Sequence, residues 1–198
     1  MLKWLALIHA TLSELRRRAA RWTLEHQQVA VAASELNLQR LHQVCVSVAL
    51  INSLFVLGLI RAVWLDHGDS LAANWKLASL VTHLLMGLSF VALAWTTRVV
   101  QLVPNTRWGR TLPLLVVLLG LLFVAGLAAI GQWVTPSFTP YVIGVVAASM
   151  AMVLRPVSSA WVYALAYFGF AYAIGLTQLE ADALLSNRIQ GLAITLLA

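Results

Sequence analysis

Asn52, His83 and Tyr167 carry the chemistry in this sequence that its surroundings make conspicuous. Each stands inside a long apolar run, where a polar group without a partner is costly and so marks a site. Asn52 lies nine residues before Arg61, and His83 lies nine residues after Asn74. If the two runs are antiparallel helices, both side chains sit about 13 Å from one boundary, at 1.5 Å per residue. A hydrogen bond between them, worth about 0.6 kcal/mol in lipid, is the structural reading. A ligand pocket or a protonation switch at His83 is the functional one. Tyr167, ten residues before Thr177, shares the depth. The three residues are therefore the candidate lining of a pocket for an apolar small molecule.

A second group lies near the end of the chain. Arg188 can pair with Asp66, Asp69, Glu180 or Asp182 and so tie the last apolar segment to the preceding loops. The loop strings DHGD (66–69) and EAD (180–182) match no metal motif, so no metal is expected. A haem between His42 and His83 of one protomer is disfavoured because their depths differ by more than a helical turn. Cys45 is the single cysteine, which excludes an intrachain disulfide. No nucleophile, phosphate-loop, dinucleotide or zinc-protease spacing occurs, so catalysis within this segment is not expected.

The elements that position these residues follow from composition. Of 198 residues, 61% are hydrophobic and 10% charged, which excludes an ordinary soluble surface and indicates an integral membrane protein. The net charge of +6 need not mean nucleic acid, since the basic residues cluster near the ends of apolar runs. Measured against the roughly 20 residues that cross a bilayer, the runs are 41–64, 74–99, 112–134, 141–154, 157–177 and 187–198. The fourth is short and the sixth covers about half the distance. The expected fold is all-α: a six-helix transmembrane bundle with a truncated sixth helix, spanning residues 41–198.

Lys3, Arg16, Arg17, Arg18, Arg21, Arg40, Arg98, Arg107, Arg110 and Arg155 fall on one set of faces. Arg61, Lys76 and Arg188 fall on the other. This asymmetry places the amino terminus in the cytoplasm, and the sixth segment then descends toward the cytoplasm as well. A terminus left in mid-bilayer would strand backbone carbonyls, so the chain is expected to continue beyond Ala198.

Residues 1–40 contain neither Pro nor Gly. Leu5, Ile8, Leu12, Leu15, Ala19, Trp22, Val29, Ala33 and Leu36 recur at three-four spacing, interrupted only by His26, and form one stripe on a long amphipathic helix. That stripe either lies on the cytoplasmic leaflet, with the arginines among headgroups, or forms the seam of a dimer.

Two stretches resemble a known family. ELNLQRLHQVCVSVALINSLFVLGL (35–59) resembles the approach to the first span in membrane-bound bacterial diguanylate cyclases. LSNRIQGLAITLLA (185–198) resembles the start of their last span, which leads into a cytoplasmic GGDEF domain. The resemblance implies a MASE-type sensory module of the bacterial inner membrane. It further implies a homodimer and an output domain, with GTP and magnesium, that makes cyclic di-GMP from two GTP. Asn187 and Arg188 would hold the outer end of the exit helix. A histidine kinase or adenylate cyclase sensor, or a small transporter, is the alternative.

Overall fold

The computed structural model describes the backbone of residues 2–65, 70–101, 106–135, 137–178 and 180–198. Within those ranges it describes side chains over 31–65 and from 73 onward. Every element is an α-helix: α1 (Leu2–Leu65), α2 (Ser70–Val100), α3 (Arg107–Gly131), α4 (Thr139–Ala151), α5 (Pro156–Thr177) and α6 (Ala181–Leu197). Four of them contain apolar segments long enough to cross a bilayer: Val31–Leu65, Ala73–Val100, Arg107–Gly131 and Pro156–Thr177. Large apolar side chains such as Leu54, Leu88, Phe168 and Leu196 are exposed around the outside, as expected where the solvent is lipid.

The amphipathic front end and the first span are one helix. Over 64 residues α1 reaches about 96 Å, with no break near residue 40. Leu38, Leu41, Cys45, Ala49 and Asn52 form its buried face, and α1 pairs most extensively with α2. Leu36, the last residue of the amino-terminal stripe, is exposed just beside that face. The stripe advances every 3.5 residues and an α-helix turns every 3.6, so a long stripe drifts around its helix. The side chains of Leu5, Ile8, Leu12, Leu15, Trp22 and Val29 lie outside the described residues.

Helix α3 stands between the α1–α2 pair and the α4–α5–α6 group. Small residues bring the helices close. A Cβ on Gly144 would meet Val124, one on Gly169 would meet Leu122 and one on Gly191 would meet Phe170. Close approach through such residues is the usual means of packing helices in lipid.

Two boundaries differ from the sequence reading. The last helix begins at Ala181, six residues before Asn187. The turn before it is set by Gln178, whose Oε1 accepts the Glu180 N–H at 3.1 Å. Helix α4 stops at Ala151, and its 13 residues cover only about 20 Å. The chain continues in extended form through Met152 and Arg155, and an extended residue advances about twice as far as a helical one.

Candidate functional site

We name the two ends of the helix group by their connections. The upper end holds the α1–α2, α3–α4 and α5–α6 connections; the lower end holds the α2–α3 and α4–α5 connections.

In the upper half of the α1–α2 pair, His83 Nδ1 and Asn52 Oδ1 are 2.7 Å apart. Asn52 is buried, and its Nδ2 donates to the Val48 carbonyl one turn back at 2.8 Å. That bond turns Oδ1 toward His83, and a carbonyl oxygen can only accept, so the imidazole proton resides on Nδ1. Phe55 stacks on the imidazole with centroids 4.7 Å apart and planes within 11°. The backbones approach closely here: a Cβ on Gly87 would lie 3.5 Å from Asn52 Cβ, an ordinary contact. The pairing expected from residue spacing is therefore present.

Tyr167 does not join this pair. Its hydroxyl lies 3.4 Å from the Arg188 carbonyl, in the α5–α6 group beyond α3. Equal depth on two helices does not bring their side chains together unless their azimuths also agree.

At the upper end of α3, α5 and α6 a buried amide node gathers residues from all three helices. Gln132 Oε1 accepts from Gln178 Nε2 and from Asn187 Nδ2, both at 3.0 Å. Gln132 Nε2 donates to the Ala128 carbonyl at 3.1 Å and to the Ser137 carbonyl at 2.7 Å. Every polar atom of the Gln132 side chain is thus used, as burial requires. Asn187 thereby links α6 to Gln132 through an amide–amide hydrogen bond.

Arg188 reaches the backbone of α5. Its Nε and Nη2 donate to the Ala171 carbonyl of α5 at 3.2 and 3.0 Å. Gly175, one turn further along, leaves room for the guanidinium. Glu180 and Asp182 are exposed, and Asp66 and Asp69 lie outside the described residues. Glu180 stands just before α6 and Asp182 in its first turn, while the long arginine side chain reaches a carbonyl on the adjoining helix.

The lower end carries clamps that residue types alone did not single out. Asn37 is buried; its Nδ2 donates to the Val153 carbonyl at 2.8 Å and its Oδ1 accepts the Val153 N–H at 2.9 Å. One side chain thereby satisfies both backbone groups of a residue in the extended run after α4. Ser34 Oγ donates at 3.3 Å to the Gly109 carbonyl. That carbonyl lies four residues before Pro113, which has no N–H to give it. Gln101 Nε2 donates to the Leu38 carbonyl at 2.8 Å, and His42 Nδ1 donates to the Ala94 carbonyl at 3.1 Å. Asn37 stands one turn before Leu41 on the buried face of α1, a face that the structure and not the residue type reveals.

No group of three or more His, Cys, Asp or Glu side chains is placed to hold a metal among the described residues. No protein family, curated protein or solved structure matches the chain. The fold and these polar contacts define the class: an all-helical chain over the described residues, with four helices suited to a membrane and several polar side chains tied across helix interfaces.

Proposed function

We propose that this chain is the transmembrane sensor and dimerisation module of a bacterial inner-membrane signalling protein, with its amino terminus in the cytoplasm. Its output is a C-terminal diguanylate cyclase that uses GTP and magnesium to make cyclic di-GMP. Six membrane-crossing segments, the fourth and sixth shorter than the rest, carry the signal to that domain. The strings over 35–59 and 185–198 that resemble the membrane-bound cyclases support this reading. The observation that carries it is the Gln132 node. Through it the exit helix α6 is fastened to α3 and to the α5–α6 turn, so a rearrangement of the bundle core moves α6 with it. Coupling needs such a contiguous element that two states can share.

One observation favours a second reading, a small transporter: the fourth segment is a short helix continued by extended backbone, and broken helices are common at transport sites. Against it, the extended run is closed by a neutral amide, Asn37, and its one ionisable residue, Arg155, is exposed.

The test is the reading frame beyond codon 198 together with cyclic di-GMP measured by mass spectrometry in cells expressing the full-length protein. A GGDEF-type domain is expected there, with output altered at least severalfold by Asn187→Leu at equal protein abundance. A transporter, kinase or adenylate cyclase sequence in that frame, or no cyclic di-GMP formed, overturns the proposal.

A further inference from the structure

Arg188 carries a fixed positive charge, yet no carboxylate among the described residues pairs with it. Its partner is one neutral group, the Ala171 carbonyl, which takes the Nε and Nη2 edge of the guanidinium. A guanidinium has five N–H donors. The two on Nη1 and the second on Nη2 meet no acceptor among the described residues, and Nη1 is not buried. What stays open is the end of the guanidinium, where Nη1 and Nη2 lie side by side as a two-pronged donor. Asp182, in the first turn of α6, precedes Arg188 by six residues, about 9 Å along the axis and on another face of the helix.

The neighbours of the charge fix its depth. The Arg188 carbonyl lies against the Tyr167 hydroxyl, whereas the guanidinium lies at Ala171 and Gly175, one and two turns further up α5. The side chain therefore climbs toward the upper end, as long cationic side chains do near a membrane boundary. The 22 residues of α5 cover about 33 Å, close to the hydrocarbon thickness. Gly175 is two residues, about 3 Å, short of its end at Thr177. The charge thus sits just inside the upper boundary, where lipid chains meet their headgroups. Gly175 is exposed, as are Tyr172 and Leu176 on α5 and Leu185 and Ile189 on α6. A Cβ on Gly175 would meet Nη2, so the absence of a side chain there lets the guanidinium rest on this outer face.

We infer that Arg188, seated over Gly175, binds the phosphate of an anionic phospholipid in the leaflet at the upper end. Nη1 and Nη2 donate to two phosphate oxygens, a paired geometry that suits guanidinium and phosphate. A cation facing hydrocarbon without a counter-ion is costly, which selects an anion. The exposed apolar side chains on both helices select an anion that carries acyl chains over free phosphate. A net negative lipid is favoured over a zwitterionic one, whose own cation competes for the phosphate. The site needs only the bundle in a bilayer and no output domain, so its failure and that of the signalling proposal are separate results.

The experiment is native mass spectrometry of the 198-residue chain in detergent, titrated with dioleoyl-phosphatidylglycerol or dioleoyl-phosphatidylcholine. The first phosphatidylglycerol is expected to bind about fivefold more tightly than the first phosphatidylcholine, the contribution of one arginine near a charged surface. Arg188→Gln is expected to remove that preference. Gly175→Leu keeps the charge but fills its seat, and is expected to remove the preference as well. Arg61→Gln takes an arginine from the same end of the bundle and is expected to leave the preference intact. Thermal unfolding of each variant in lipid-free detergent separates a lost site from a lost fold; should Arg188→Gln unfold, Gly175→Leu decides. No preference in the wild-type chain, a preference that survives Arg188→Gln or Gly175→Leu, or an equal loss with Arg61→Gln each overturn the inference. So does release of the lipid by inorganic phosphate, which would make this a site for a soluble anion.

Discussion

Among single residues, Asn37 has the most to lose. Its side chain is the partner of both the N–H and the carbonyl of Val153, and no ladder of helix or sheet serves that stretch of chain. Asn37→Ala leaves two backbone groups unmatched, at about 1–3 kcal/mol each. We expect a destabilisation of about 2–4 kcal/mol in a steric-trapping or SDS-unfolding measurement. Asn37→Asp is informative because it keeps the acceptor and removes the donor, setting a carboxylate oxygen against the Val153 carbonyl. It should be no better than alanine; recovery by aspartate would sink the two-bond account. His83 and Asn52 were readable as a pair because two side chains with strong hydrogen-bonding groups, each inside an apolar run, had a common depth. Asn37 was not, because it sits among Glu35, Gln39 and Arg40 in a stretch that looks solvated. Its role depends on α4 stopping early, and nothing near Asn37 in the sequence announces that.

Helices and their spacing form the next scale. The long apolar runs were plain from composition, since lipid demands continuous apolar helices and tolerates little else. Their ends were less so. The sixth apolar run starts at Asn187, yet Ala181 to Ser186 already form helix, because a helix can begin with polar residues that an apolar count leaves out. The register of close packing was open too, because glycine in a membrane helix can be either a contact or a gap. Gly191 and Gly58 are the two cases. A Cβ on Gly191 would meet the ring of Phe170, which is itself stacked on Tyr141 with centroids 4.1 Å apart and has little room to give. Gly191→Ala should cost about 1–3 kcal/mol by overpacking. Gly58→Ala meets nothing and should be neutral or stabilising by up to about 1 kcal/mol, from the backbone freedom that glycine loses on folding. Thermal unfolding of the two variants in the same detergent would check the contrast, and equal effects would mean that α6 does not pack on α5 as described.

For the whole molecule, the continuity of α1 bears on the two uses proposed for its amino-terminal stripe. A helix that lies on the leaflet and then crosses the bilayer must bend sharply, and sharp bends arise at proline, at glycine pairs or at local bulges in the hydrogen-bond ladder. Between Leu2 and Leu57 the sequence has neither proline nor glycine, and the helix assignment is unbroken. A helix that continues outward from the bundle carries Leu5, Ile8, Leu12, Leu15, Trp22 and Val29 away from lipid. A stripe at 3.5-residue spacing is then best covered by the same stripe of a second copy, in parallel. We therefore expect a dimer joined along residues 5–36. In a Cys45→Ala background, Leu12→Cys should cross-link to a covalent dimer in membranes within minutes of oxidation, because facing core positions of a parallel pair lie within disulfide reach. Arg16→Cys, beside the stripe, should cross-link at least several times more slowly. If both react alike, or neither reacts while both are protected by lipid from water-soluble maleimide, the stripe belongs on the leaflet, and α1 must bend on meeting the bilayer.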